Sequence, residues 1–299
     1  MHWQSDERAD LREGQLEVAQ SDERFRSPLP MMSRDVELEV NATDPVIVAP
    51  AQWEEPIRAE VFGIERLEQH AESLAAAQRT TEGPSKGRYL LPRVRDNARV
   101  LLAAYRNIAE TVREKGEITP AAEWLLDNFY IVEEQIRGVR DHLPGSYYRL
   151  LPKIAAGHLA GYPRVYALTW AYVAHTDSRF DLETLQRFVR AYQGVQPLTI
   201  GELWAIPILL RVALVENLRR LSQLIVRSRH ARAQADELAD RLLGLSGRPA
   251  EHADDVLGPL DDAPLRRPFA VQLVQRLRDQ GPSIMPALAW LDRKLSGQE

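Results

Sequence analysis

The strongest constraint in this chain is one capped, apolar-periodic run. Thr199-Ile-Gly-Glu202 matches a capping box, in which the Thr hydroxyl and the Glu carboxylate each satisfy a free amide of the first helical turn. A helical pattern then continues toward Leu243, interrupted at Pro207. At about 1.5 Å per residue such a run spans roughly 65 Å. A proline inside a helix removes one backbone hydrogen bond and crowds the preceding turn, so the expected form is a kinked rod or two stacked helices. The most apolar part, Leu203 to Leu218, contains Arg211 and Glu216. It falls short of the roughly 18–20 apolar residues of a membrane span and reads as a buried helix.

The remainder follows the same period. Apolar residues at 57, 61, 64 and 67 predict a helix from about Pro56. A second runs from about Pro92 to Lys115 and ends at Gly116, the expected left-handed cap. Thr119-Pro120 combines an N-cap residue with proline at the first helical position, and starts a third helix reaching about Asp141. Shorter helical pieces are expected at Tyr147–His158 and Gly161–His175, then a helix from Asp181 to Gln193. Ser246 to Pro268 reads as an acidic loop, and two short helices follow. No convincing strand pair occurs after residue 50. The fold class is therefore all-α: a multi-helix bundle with one long kinked helix, preceded by a disordered acidic leader. The expected organisation is a leader over 1–50, a helical domain over 51–246, an acidic loop over 247–268, and a C-terminal helical segment over 269–299 packing on the main domain.

Charge supports that division. Residues 1–50 hold eleven acids and five arginines, a net of −6, while the whole chain of 299 residues is −5. The body is therefore near neutral, and the acidity belongs to the leader, which has few aromatics and scattered prolines. The chain has no cysteine, which excludes disulfides, cysteine-zinc and Fe–S sites, and thiol catalysis. The GxSxG string at Gly83-Pro-Ser-Lys-Gly87 falls in a stretch that reads as a loop by its turn residues, not on the strand-to-helix turn of a nucleophile elbow, and there is no HExxH, no phosphate-binding glycine loop and no GxGxxG. No metal site and no cofactor are expected, and no nucleic-acid partner.

The most polar stretch is Ala174-His-Thr-Asp-Ser-Arg-Phe-Asp181. One reading is a small polar site, Asp177 polarising His175 for acid–base work or sugar binding, with Arg179 beside it. The other is a helix–helix corner in which Ser178 and Asp181 cap the next helix. Aromatic residues cluster between 124 and 204, where rings serve either as sugar-stacking platforms or as core. Tyr147 and Tyr148 are the expected exposed pair, and Glu202 with Trp204 completes the candidate binding set. Arg219, Arg220, Arg227, Arg229 and Arg232 lie in a stretch without acids. They form a candidate interface for an acidic partner or, as a peripheral contact, a membrane surface.

Three stretches carry a resemblance. They are Ile118-Thr-Pro-Ala-Ala-Glu-Trp-Leu-Leu-Asp-Asn-Phe-Tyr-Ile-Val-Glu-Glu-Gln-Ile-Arg137, then Gly161-Tyr-Pro-Arg-Val-Tyr166 with Ala174-His-Thr-Asp-Ser178, then Pro197-Leu-Thr-Ile-Gly-Glu-Leu-Trp-Ala-Ile-Pro207 running on to Glu216-Asn-Leu-Arg-Arg220. Together they resemble the N-terminal region of bacterial cyclic β-1,2-glucan synthases, very large inner-membrane enzymes. The resemblance covers about residues 51–295. It implies a partner in the remainder of the synthase, above all its membrane glycosyltransferase module, which uses UDP-glucose. It also implies β-glucan as a candidate ligand and a cytoplasmic location at the inner face of the inner membrane. The family's transferase, cyclising and phosphorylase-like modules have no counterpart in this chain, so no catalytic residue carries over. Trp124, Asp127, Asn128, His175, Asp177, Glu202 and Trp204 match the family's strings and are expected in structural or interface roles. The leading expectation is a non-catalytic helical module that scaffolds or docks the transferase. The alternative is a glycan-binding or glycan-processing domain around His175 and Asp177.

Overall fold

The computed structural model describes residues 55–81, 87–157, 159–245, 247, 249–261, 265–278, 280–281 and 284–297. The leader expected over 1–50 lies outside the described residues. Ten α-helices occur among those described: α1 Ile64–Ala77, α2 Leu90–Arg113, α3 Pro120–His142, α4 Gly145–Leu150, α5 Arg164–His175, α6 Leu182–Val195, α7 Ile200–Leu243, α8 Ala253–Leu257, α9 Arg267–Leu277 and α10 Met285–Ser296. The all-α reading is borne out. Strand pairing among the described residues comprises β1, Thr80–Thr81, against β2, Lys153–Ile154, antiparallel with Thr80 opposite Ile154, and a single bridge from Lys153 to Pro163. Two-residue strands carry no apolar alternation, so the sequence offered no sign of them.

The long helix forms as its cap dictates. Thr199 accepts from the Glu202 amide and Glu202 from the Thr199 amide. The 44-residue helix runs unbroken through Pro207 and stops at Gly244, whose φ of 67° is left-handed. Around it pack α2, α3, α5 and, toward its far end, α9, while α1 pairs with α6. Two apolar clusters result. The larger joins α1–α6 and the first half of α7, with Tyr166, Tyr172, Tyr192, Phe188 and Leu209 fully enclosed. The smaller joins Ala231, Ala235, Leu238, Ala239 and Leu242 of α7 to Leu273, Leu277, Trp290 and Leu291.

Four local expectations change, one being the helical piece expected over Tyr147–His158, which stops at Leu150 and gives way to β2. The helix predicted from Pro56 begins at Ile64, because residues 57–62 spend their amides elsewhere. Ile57 N donates to Asn217 Oδ1 (2.6 Å), Ala59 N to Ala174 O and Phe62 N to His175 O (3.0 Å each). An extended strap thus satisfies the carbonyls that the end of α5 leaves open. At the end of α2 the left-handed residue is Lys115 (φ 59°), one before the expected Gly116. Gly116 is needed for closeness instead: its amide donates to Thr111 O, and a Cβ there would lie 2.7 Å from the Thr111 methyl. Within 247–268, read as loop, α8 and a 3-10 turn at Gly258–Leu260 form, because Val256 and Leu257 are buried in the smaller cluster.

Leu209 is fully buried on α7. Leu209→Ala is expected to cost about 2–5 kcal/mol in urea unfolding, whereas Leu150→Ala, at an exposed α4 position, should shift stability by less than about 0.5 kcal/mol.

Candidate functional site

The polar candidates separate into several places. At the start of α7, the Glu202 carboxylate is fully buried. Its Oε1 accepts from Arg164 Nε (2.6 Å), and its Oε2 from Arg164 Nη2 (2.9 Å) and Thr199 N (2.9 Å). Arg164, the first residue of α5, also donates to Gln196 Oε1 and Pro197 O, both at 2.8 Å. Burial pushes the Glu202 carboxyl up, but the bonds from Arg164 and Thr199 outweigh it and hold the group below the usual carboxylate range. This pair locks the first turns of α5 and α7 together and leaves no oxygen facing an open cleft.

His175 is the last residue of α5, eleven residues from Arg164, so about 16 Å separates the two ends of that helix. The His175 and Glu202 groups therefore do not converge. Nor does Asp177 polarise His175: the Asp177 carboxylate pairs with Arg58 Nε at 2.9 Å. His175 Nδ1 instead bonds Glu60 O (2.8 Å), and its ring stacks on Phe62 with centroids 4.0 Å apart. His70 meets it edge-on at 4.5 Å. Burial, then the neighbouring His175, pulls His70 below its ordinary pKa. Asp177 and Ser178 both take left-handed φ (51° and 62°), a tight corner that Asn217 Nδ2 braces by donating to Ser178 Oγ (2.8 Å). Asp181 caps α6 by accepting from Thr184 N (2.7 Å). Arg179 is exposed on this corner. The helix–helix corner reading holds for Asp181, but Ser178 does not cap α6, its hydroxyl being taken by Asn217 instead.

The two tyrosines are not an exposed pair. Tyr147 is half-buried and donates to Gly201 O (2.5 Å), while Tyr148 is buried and donates to Arg88 O. Burial raises the Tyr148 phenol well above its ordinary range. Beneath it lies Lys153, buried, which donates to the Tyr148 and Leu151 carbonyls at the end of α4. Trp204 is 72% exposed.

The arginine stretch is divided too. Arg219 and Arg220 are buried around Glu216, because the carboxylate needs them. Glu216 Oε1 accepts from Arg93 Nη2 (2.6 Å), Arg219 Nη2 (2.6 Å) and Arg220 Nε (2.9 Å), and Oε2 from Arg93 Nε (2.9 Å) and Asn97 Nδ2 (2.7 Å). Burial raises this carboxyl, and the arginines, Arg93 first, overturn that and hold it far below the usual range. Arg220 also lies over the Trp170 ring and donates to Glu55 O. Arg229 donates to Asn107 Oδ1 (2.8 Å) on α2, Arg227 is half-buried, and Arg232 is exposed. Sequence reasoning missed Arg93, Asn97, Arg164 and Lys153. Asn97 did carry a sign, standing between Val94 and Leu101 inside the apolar stripe of α2.

Among the described residues no group of three His, Asp or Glu could hold a metal, and no helix is long and apolar enough to cross a membrane. The acidic pair at 254–255 lies on α8; Asp261 accepts from Trp290 Nε1 (2.5 Å), and its neighbour at 262 is outside the described residues.

Fold and site together define an all-α module whose buried charges join helix to helix. No family model matches the chain. It is 37% identical over 252 residues to the cyclic beta-(1,2)-glucan synthase NdvB of Rhizobium meliloti (strain 1021), a match covering 81% of this chain and 8% of that protein. The chain is thus related to a segment of a cyclic β-1,2-glucan synthase, and the resemblance read from its sequence is borne out. It spans about one twelfth of the length of the relative it matches.

Two outcomes test the electrostatics. Glu216→Ala strands buried arginines and is expected to cost about 3–5 kcal/mol by denaturant unfolding. Burial pulls the Lys153 ammonium down to about 8, against roughly 10.4 in an unfolded chain. Between those values the unfolded chain binds more protons, so the Lys153 contribution to stability rises with pH and is lowest below pH 8. Relative to Lys153→Met, the wild-type urea midpoint should rise between about pH 8 and 9.5.

Proposed function

We propose that this chain is a non-catalytic helical module that scaffolds and docks the membrane glycosyltransferase of a cyclic β-1,2-glucan synthase. The relation to a segment of NdvB supplies the context. The observation that carries the role is the use of the polar candidates. Glu202 and Glu216 are fully buried and committed to arginines, and Asp177 is paired with Arg58. A glycan-processing site requires an acid and a base open to substrate on one cleft, and His175 and Glu202 stand at opposite ends of α5. A rigid bundle presenting exposed side chains from ordered helices suits docking instead. The same reading puts the module at the cytoplasmic face of the inner membrane.

Co-expression of the full chain with the transferase module of a cyclic glucan synthase, followed by affinity purification through a tag on the chain, should recover both at comparable amounts. The chain alone should transfer no glucose from UDP-glucose. Measured transfer, or a transferase that never co-purifies, would overturn the proposal.

A further inference from the structure

The first three turns of α7 turn one narrow face outward. Ile200, Trp204, Pro207 and Arg211 are all exposed, Ile200 at 68% and Trp204 at 72%. At 100° per residue these positions fall within about 60° of the helix circumference. The short helix α4 extends the face. Tyr147 donates to Gly201 O, and Leu150, one turn beyond Tyr147, is 81% exposed.

Two arginines border this apolar face. Arg149 stands between Tyr147 and Leu150, and Arg211 closes the α7 stripe; both are exposed. At the end of α3, His142 is exposed beside Arg211, a Cβ at Gly138 being 3.8 Å from both the Arg211 and the His142 nitrogens. The acid nearest in the α7 sequence, Glu202, is buried under Arg164. Asp141 is an exposed carboxylate on this border, and Glu134, also exposed, lies one helical turn before Gly138. A second aromatic patch on α3 shows the opposite setting. Trp124, Tyr130 and Ile131 are exposed there among Glu123, Asp127 and Glu134, all exposed as well.

We infer that the Ile200–Trp204–Leu150 face, with Arg149 and Arg211, seats on a bilayer surface that carries anionic headgroups. Indole rings favour the headgroup level, where an apolar body and a polar N–H are both accommodated. Large apolar side chains combined with arginines supply the two attractions that reversible interfacial binding needs. The carboxylates around Trp124 would be repelled by the same surface. This contact needs no transferase, so the co-purification above and the assay below fail separately.

The full chain is mixed with sedimenting vesicles of phosphatidylglycerol and phosphatidylcholine in equal parts, and with vesicles of phosphatidylcholine alone. Binding should favour the anionic vesicles and weaken with added salt. Trp204→Ser should weaken it by at least about tenfold, the scale set by one large side chain no longer buried. Arg211→Glu should reduce it as well, and Trp124→Ser should leave it unchanged. Because these positions are exposed, circular dichroism should show all three variants folded. Equal binding to both vesicle types, an undiminished Trp204→Ser, or an equal loss in Trp124→Ser would overturn the inference. So would a dimer that Trp204→Ser dissolves while no vesicle is bound, which would assign the face to a second copy of the chain.

Discussion

One buried carboxylate organises the larger core. Glu216 lies at zero exposure midway along α7, surrounded by Arg93 and Asn97 from α2 and by Arg219 and Arg220 from its own helix. An isolated charge there would be prohibitively costly, so the site exists only when α2 is docked in register. Arg220 then reaches across Trp170 of α5 to the carbonyl of Glu55, and Asn217 beside it holds both the strap at Ile57 and the corner at Ser178. A buried charge cluster of this kind contributes register more surely than net stability. Apolar packing would tolerate a one-turn slip of α2 along α7; these hydrogen bonds would not.

The Arg164–Glu202 pair does the same work one segment away. It lies at the first turns of α5 and α7, and through Gln196 and Gln78 it reaches the end of α1. The polar residues that looked like chemistry in the sequence are therefore largely fasteners between helices.

Much of the architecture was legible in the sequence because its signals are local. The capping box at Thr199, the Thr119-Pro120 start and the 3.6-residue period of α2, α3 and α7 are properties of a few neighbouring residues. The strap at 57–62 shows the limit. Its apolar spacing is helical, yet its amides are claimed by carbonyls more than a hundred residues away, which no local pattern encodes. The same holds for the candidate site. A glutamate at 202 reads as a cap from its neighbours alone, but its partner at 164 is a tertiary fact. Likewise Arg219 and Arg220 read as part of an exposed interface until Glu216, three and four residues before them, is seen to draw them inward.

The length of α7 has a mechanical meaning. One continuous helix contributes to both apolar clusters, so the two are joined by a stiff element of roughly 65 Å and not by a flexible connector. A tilt of about 5° imposed near Trp204 would displace the far end by roughly 6 Å over that length. Anything held at the first turns of α7 would thereby set the position of the α9–α10 end, and the module would act as a lever arm as much as a spacer.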